Sequence, residues 1–433
     1  MTSITYIRCA VGQDYDLSAS FLNDQQNEMT ETKEFDGSGT MILAPSELKL
    51  GMHVSYLDRP WGDSPFPFQG FKIETEAELK KLKETCEYVF VDAENSNRDY
   101  QSYFENRASS KPEEEPPEHS STQTILLPTE EEFPAARAVH AELRHAMIEC
   151  YNESSAGRPP SLTRLERSAR AVIHSVKRAP DALLYFVRTQ TEGDYLYRHG
   201  VACSIMLCVL GHSMGKSFQS LKQLTIGGAL LDIGKTRVSK ELLNRPRATQ
   251  LTPGELQQLK RHVERGAEII SQVTSEGGPI VTMIMSHHER HNGSGYPRKL
   301  AGSHISQFGK MAAIVDMFDA MISERSYGRR ATAYEAMRHI KAQRDQDFEA
   351  SLVDAFQEAF GTYPTGSLVQ LSTGEVGIVI QQTGSRLQPR VYLLLDTEKK
   401  RKCEFQVINL NEKEHRQTVI EKCLKAGSYG VDY

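Results

Sequence analysis

Two adjacent imidazoles beside a carboxylate, His287-His288-Glu289, open a run that continues Arg290-His291-Asn292-Gly293-Ser294-Gly295-Tyr296-Pro297. Neighbouring histidines ahead of a glycine-rich loop suit a metal site at a helix end. The glycines let backbone approach a bulky ligand. Taken alone, such a pair is more often a surface or core accident than a ligand set, so its company decides its meaning. The company is His199, Asp232, His262 and Asp316. Each has a bland alternative. His199 could be a hydrogen-bonded core histidine, and Asp232 could bond backbone at the end of Gly227-Gly228-Ala229-Leu230-Leu231. His262 lies on the margin of a Leu256, Leu259, Val263 stripe, with room left by Gly266. Asp316 is more telling. It interrupts Ala312-Ala313-Ile314-Val315 and Met317-Phe318, where a buried carboxylate needs a partner or a cation. Mixed imidazole and carboxylate donors favour Fe, Mn, Zn or Ni over Ca or Mg. Two ions about 3.5–4 Å apart would activate water and stabilise an in-line phosphoryl displacement. Lys235 could then hold a phosphate or help the leaving oxygen, although a lone lysine is more often solvated.

These residues need helices to hold them, and residues about 131 to 362 supply the period. Helices are expected through 134–152, 161–178, 180–190, 194–212, 218–233, 252–273, 278–289, 307–323, 331–343 and 349–360. Thr252 caps the 252 helix, with Pro253 at its first position and Glu255 completing a capping box. Around this helical domain the pattern changes. Residues 1–44 read as a polar leader. Residues 45–95 read as a small α+β module, with Met52, Val54 and Tyr56 alternating as in a strand and Thr75 capping a helix to about Cys86. The stretch 96–130, with Lys111-Pro112-Glu113-Glu114-Glu115-Pro116-Pro117-Glu118, is an acidic, proline-rich linker. Residues 363–433 switch to period two near 368–371, 376–380, 391–395 and 403–408, which implies a small antiparallel β unit. The expected fold is therefore mainly α, a helical bundle with a small α+β module before it and β strands after it.

Composition narrows the function classes. The 433 residues allow two or three domains. A formal charge of −6 offers no basic field for long nucleic acid. Seven cysteines without a CxxC pair indicate neither a disulfide framework nor a zinc ribbon. No signal peptide is indicated, and the longest apolar run, near Val201 to Leu210, is too short to span a bilayer. A reducing cytoplasm is the expected compartment.

In order and spacing, Asp232-Ile233-Gly234-Lys235, Leu251-Thr252-Pro253-Gly254-Glu255, His262, His287-His288-Glu289-Arg290 through Gly295-Tyr296-Pro297, Asp316-Met317-Phe318-Asp319-Ala320 and Arg325-Ser326-Tyr327 resemble the HD-GYP family. That family belongs to the HD superfamily of metal-dependent phosphohydrolases and hydrolyses cyclic dinucleotides, chiefly cyclic di-GMP in bacterial signalling. Gly51-Met52 through Gly70-Phe71 is similar to a domain of unknown function that often precedes HD-GYP domains. The β-rich tail resembles a common C-terminal extension. The resemblance implies that His199, Asp232 and Asp316 hold a first metal. It implies that Asp232 bridges to a second held by His262, His287 and His288. Lys235 matches a lysine near the scissile phosphate, and Arg325 an arginine that grips phosphate. Gly295, Tyr296 and Pro297, with Arg290, belong to the segment that shapes the dinucleotide pocket. In the family this loop can also contact partner proteins, so a diguanylate cyclase or another signalling protein is the partner class it implies.

The pattern departs from the family at defined places. Leu231 stands where the histidine of the name-giving His-Asp pair belongs, and leucine binds no metal. Tyr195 stands where some members have a glutamate for a third metal. Asn292 replaces an aspartate, and Ser326 and Gly328 replace a proline and a basic residue. Two readings follow. The first is a metal-dependent cyclic dinucleotide phosphodiesterase, slowed by Leu231, with one divalent Fe or Mn site filled and another weakened. The second is a degenerate member that senses cyclic dinucleotide or docks a signalling partner.

Overall fold

The computed structural model describes residues 6–8, 14–16, 40–58, 66, 70–86, 88–92, 95–97, 100, 129–189, 194–243, 251–274, 278–323, 331–402 and 406–431. Two short strands, β1 (Tyr6–Arg8) and β2 (Asp14–Asp16), pair antiparallel. A four-stranded antiparallel sheet follows, built from β3 (Thr40–Leu43), β4 (His53–Leu57), β5 (Phe71–Lys72) and β6 (Val89–Asp92) in the order β3-β6-β4-β5. The sheet thus takes in Thr40–Leu43, which composition alone assigns to the leader. Thr75 caps α1 (Glu76–Thr85) as expected, and Glu78 completes a capping box.

Alternation along these strands explains how the module sits on the rest of the chain. Leu43, Val54, Val89 and Val91 point to one face and bury against Leu79 and Leu82 of α1. Their neighbours Ile42, Tyr88 and Phe90 point to the other face and join the core of the helical domain. A buried ion pair reinforces this docking. Arg178 donates to both oxygens of Glu132, at 2.6 and 2.9 Å, and to the Asp58 carbonyl at 2.7 Å.

The helical domain runs through α2 (Thr129–Ser155), α3 (Thr163–Arg178), α4 (Pro180–Thr189), α5 (Tyr195–Ser213), α6 (Phe218–Leu230), α7 (Lys240–Leu243), α8 (Pro253–Lys260), α9 (His262–Ser271), α10 (Pro279–Ser286), α11 (Gln307–Ile322), α12 (Ala333–Ala342) and α13 (Ala350–Phe360). Helix α5 is buried from His199 to Gly211 and packs most extensively on α6. The continuous helix expected over 252–273 is broken at Arg261. Only its second half has a core to face: α9 buries Val263, Ala267 and Ile270, whereas α8 buries nothing and leaves Leu256 exposed. Among the described residues, no helix is long and apolar enough to cross a membrane.

The C-terminal unit is a five-stranded antiparallel sheet of order β10-β9-β8-β7-β11: β7 (Leu368–Leu371), β8 (Val376–Gln381), β9 (Arg390–Leu395), β10 (Val407–Asn409) and β11 (Ile420–Leu424). Strand β11 lies in a tail whose sequence carries no clear period. Polar contacts tie the unit to the helices. Buried Asp181 accepts hydrogen bonds from Thr365 Oγ1 and from the Gln382 amide, and Arg390 pairs with Glu130 at 2.7 and 3.0 Å.

Candidate metal centre

Each donor sits where a helix begins, ends or is fully buried. His199 occupies the second turn of α5, whose start is capped by Asp194. Asp232 follows the last turn of α6 and leads into a 3-10 turn, Ile233–Arg237, that carries Lys235. His262 opens α9 directly after the break at Arg261. His287 and His288 follow the end of α10, and Asp316 lies inside α11. Gly234 brings two of these segments together. A Cβ there would lie 1.9 Å from the His262 carbonyl oxygen and 2.5 Å from the Gly266 nitrogen, so only glycine allows the approach.

The donors converge into two groups joined by carboxylates. In the first, His199 Nε2 lies 3.1 Å from Asp316 Oδ1 and 3.8 Å from Asp232 Oδ2. In the second, the ligand atoms of His262, His287 and His288 all lie within 4.8 Å of one another. Asp232 reaches both groups, because its Oδ1 stands 3.3 Å from His262 Nε2. Asp316 also straddles them, with Oδ2 3.6 Å from His288 Nδ1. Lys235 Nζ donates to Asp232 Oδ2 at 2.5 Å.

The histidine tautomers test whether this set fits a cation. His262 Nδ1 donates to the Leu259 carbonyl and His287 Nδ1 to the Ile284 carbonyl, both at 2.7 Å. In the neutral rings each proton is therefore on Nδ1, and each Nε2 carries a bare lone pair. These two lone pairs face each other across 3.4 Å. Two acceptors at that distance repel unless a proton or a metal lies between them. Burial pushes the His262 pKa down to about 4 and lowers His287 and His288 as well, against the attraction of Asp232 and Asp316. Near neutral pH a divalent ion, not a proton, suits the pair.

The carboxylates are charged to match. Burial opposes ionisation of Asp232, but Lys235 and the surrounding histidines hold its pKa well below the usual value. Burial also opposes ionisation of Asp316, and His288 and His199 outweigh it. Lys235 is raised despite burial because of Asp232. His199 is raised well above its ordinary value: burial opposes the cation, while Cys203, Tyr195 and hydrogen bonds to Asp316 and Asp319 favour it.

The loop closes over this centre. Tyr296 stacks on His288 with ring centroids 4.7 Å apart, and Lys260 Nζ lies 4.9 Å from the centroid of the Tyr296 ring. Gly295 is buried at the loop base, where a Cβ would stand 2.4 Å from Glu289 Cα. The Tyr296–Pro297 peptide is cis. Arg290 points into the loop base, donating to the His287 and Glu289 carbonyls at 3.3 and 3.0 Å, with its guanidinium over Phe348. Arg325 lies outside the described residues.

Two further residues of the site stand in the sequence only as letters within motifs. Glu289, 1% exposed, accepts from the Arg298 and Leu300 amides at 2.8 and 3.0 Å and so clamps the loop. Asp319 lies one turn after Asp316 and meets His199 Nδ1 at 2.6 Å. Its i,i+3 spacing from Asp316 is the signal that could have found it. Leu231 is 1% exposed and belongs to the main hydrophobic core. It offers no ligand.

Similarity to known proteins runs through most of the chain. The HD domain family matches residues 194–352, and a domain of unknown function, DUF3391, matches residues 42–165. The chain is 31% identical over 378 residues to a cyclic di-GMP phosphodiesterase of Pseudomonas aeruginosa, covering 84% of this chain and 87% of that protein. It is 28% identical over 195 residues to a 3′3′-cGAMP-specific phosphodiesterase of Vibrio cholerae, covering 45% of this chain and 35% of that one. Among solved structures, an HD-GYP-type protein of Bdellovibrio bacteriovorus aligns over 74% of this chain and 98% of its own, with 16% identity and a TM-score of 0.43. With an HD domain carrying the His287–Pro297 run, DUF3391 ahead of it and a relative matched along most of both chains, this protein belongs to the HD-GYP family.

Proposed function

We propose that the chain is a metal-dependent phosphodiesterase that hydrolyses a cyclic dinucleotide, cyclic di-GMP, to the linear dinucleotide pGpG and then to GMP, in cytoplasmic second-messenger signalling. The observation that carries this reading is the pair of Nε2 lone pairs, His262 and His287, facing each other beside the two-sided carboxylate Asp232. Similarity to phosphodiesterases of cyclic di-GMP and of 3′3′-cGAMP supports the substrate class.

Fe or Mn, when bound, supplies an activated water and neutralises charge on the phosphate oxygens. The remaining work falls to the chain. His199, Asp232 and Asp316 form one ligand group, and His262, His287 and His288 with Asp232 form the other. Asp232 and Asp316, held ionised, keep the net positive charge of the loaded site low. Lys235 stays protonated against Asp232. Its ammonium would donate a proton to the 3′ oxygen as the P–O3′ bond breaks and the water oxygen bonds to phosphorus. Tyr296, Gly295 and Pro297 shape the pocket rim beside His288. Arg325 grips phosphate, as the family resemblance implies. The hydrogen bonds of Arg290 favour a loop-holding role over direct substrate contact. The Gly295–Pro297 loop is also the docking segment for a diguanylate cyclase or similar partner.

One observation favours a second reading, a cyclic dinucleotide sensor or adaptor. Leu231 is packed in apolar core where the family places a ligand, so the first group holds a single imidazole. Three protein ligands plus water can hold a catalytic ion, and we therefore place the enzyme first. The decisive test is cyclic di-GMP incubated with Mn- or Fe-loaded protein, followed by product separation. Turnover by wild type that vanishes in His287→Ala supports the enzyme. Product from Leu231→His but none from wild type establishes the degenerate reading. Binding without turnover in either protein identifies a receptor.

A further inference from the structure

Asp319 has no donor position in either ligand group, yet it makes the shortest contact to the His199 ring. Its Oδ2 lies 2.6 Å from His199 Nδ1, with both residues 2% exposed, and Ser323 Oγ donates to the same oxygen at 3.0 Å. On the other side of the ring, Nε2 faces Asp316 and Asp232. The backbone explains the geometry. Asp316 and Asp319 sit one turn apart on α11, so both carboxylates face α5 and bracket the same imidazole.

We propose that Asp319 is a positioning residue for the first ligand group, an inference that rests on the metal-dependent reading above. By accepting the Nδ1 proton it leaves Nε2 as the nitrogen available to a metal, and it locks the ring with that nitrogen between Asp316 and Asp232. A carboxylate behind an imidazole also makes the ligating nitrogen more basic. Leu231 contributes no nitrogen, so this group depends on His199 as its one imidazole. The second group has a different arrangement: His262 and His287 are oriented by the Leu259 and Ile284 carbonyls. Asp319 therefore acts on one ligand group and not on the other.

The test titrates the full chain with Mn2+ and counts bound ions by the loss of the free Mn2+ electron paramagnetic resonance signal, for wild type, Asp319→Asn and Asp319→Glu. Asn keeps the shape but can turn its amide nitrogen toward the ring and reverse the tautomer. The expected result is a weaker class of sites whose affinity falls about 10–100-fold in Asp319→Asn and partly recovers in Asp319→Glu. The tight class at His262, His287 and His288 stays at wild-type affinity, which also reports that the variant is folded. With cyclic di-GMP as substrate, kcat falls while KM holds. Loss of both classes together would mean that the substitution disrupts the fold. In that case Ser323→Ala, which removes only the supporting hydrogen bond, decides: weakening confined to the first class supports the proposal, and unchanged binding overturns it. Equal binding isotherms for wild type and Asp319→Asn also overturn it, whether one class or two is seen. If wild type hydrolyses nothing while Asp319→Asn still loses the weaker class, the phosphodiesterase reading fails and the role of Asp319 stands.

Discussion

Replacing Gly295 with alanine tests whether the loop base is as tight as its geometry indicates. The added methyl would stand 2.4 Å from Glu289 Cα, 2.5 Å from Arg290 N and 2.6 Å from His288 O, where ordinary contact begins at 3.4 Å. All three are backbone atoms, so no side-chain rotation relieves the clash, and the loop must move by about 1 Å. Such a shift opens the 3.1 Å hydrogen bond from the Tyr296 amide to the His288 carbonyl. It also pulls against the Glu289 clamp on Arg298 and Leu300. Overpacking costs about 1–3 kcal/mol, and a buried backbone hydrogen bond adds about 1 kcal/mol. A loss of about 2–4 kcal/mol corresponds to a Tm roughly 5–15 °C lower for a domain of this size. The displaced segment carries His288 and Tyr296, and misplacing a reacting group by about 1 Å costs on the order of 100-fold in rate. The assay is a thermal melt of the metal-free chain alongside cyclic di-GMP turnover with Mn2+. Gly293→Ala is the comparison. Its φ of 79° brings left-handed strain of about 1–2 kcal/mol, but its Cβ would meet only Ala301 Cβ at 3.3 Å and a carbonyl at 3.7 Å. A Gly295→Ala protein that melts within about 1 °C of wild type, with unchanged turnover, would refute the reasoning.

Three further outcomes follow from the same structure. His287→Ala should remove the stabilisation that the tight Mn2+ site gives the wild type, about 2.7 kcal/mol at one hundred times its dissociation constant, and a melt raised by Mn2+ as much as in the wild type would count against the site. Glu132→Gln leaves Arg178 buried without its counter-charge and should cost about 3–5 kcal/mol in urea unfolding, whereas a change under about 1 kcal/mol would mean that the pair is dispensable for docking. Stability should also depend on pH. His140, His174 and His262 are pushed down to about 4, by burial first. The unfolded chain then binds more protons between about 4 and about 6.5, so stability falls as pH drops through that window. Asp181, raised to about 6 by burial, acts in the opposite sense and favours the native chain at low pH, an advantage lost as pH rises through about 6. Burial also lowers His212, His287 and His288, whereas His199 and Glu149 are raised and side with Asp181. Six lowered groups oppose three raised ones, so the urea midpoint of the metal-free chain should be lower at pH 5 than at pH 7, and the reverse order would refute the balance.

The sequence by itself determined which side chains offer metal-ligating atoms. Ligand identity is a matter of residue type, and the spacing of Asp232, His262, His287-His288 and Asp316 survives in the chain whatever the fold. It also determined local elements whose signals are short-range: the helix cap at Thr75, the capping box at Thr252, the helix around Asp316 and the strands near 368–395. Tertiary structure decided the rest. Helical period alone could not show that α8 lacks a core to face, so the break at Arg261 that aims His262 inward depended on distant packing. Strand pairing brought Thr40–Leu43 and Ile420–Leu424 into sheets, because a strand's partner lies far along the chain. Asp319 and Glu289 were visible as letters, but their roles came from partners that only folding supplies: an imidazole 120 residues away and two amides across a loop. The two-sidedness of Asp232 and Asp316 is likewise a property of distances, since a carboxylate bridges only when both of its oxygens find neighbours.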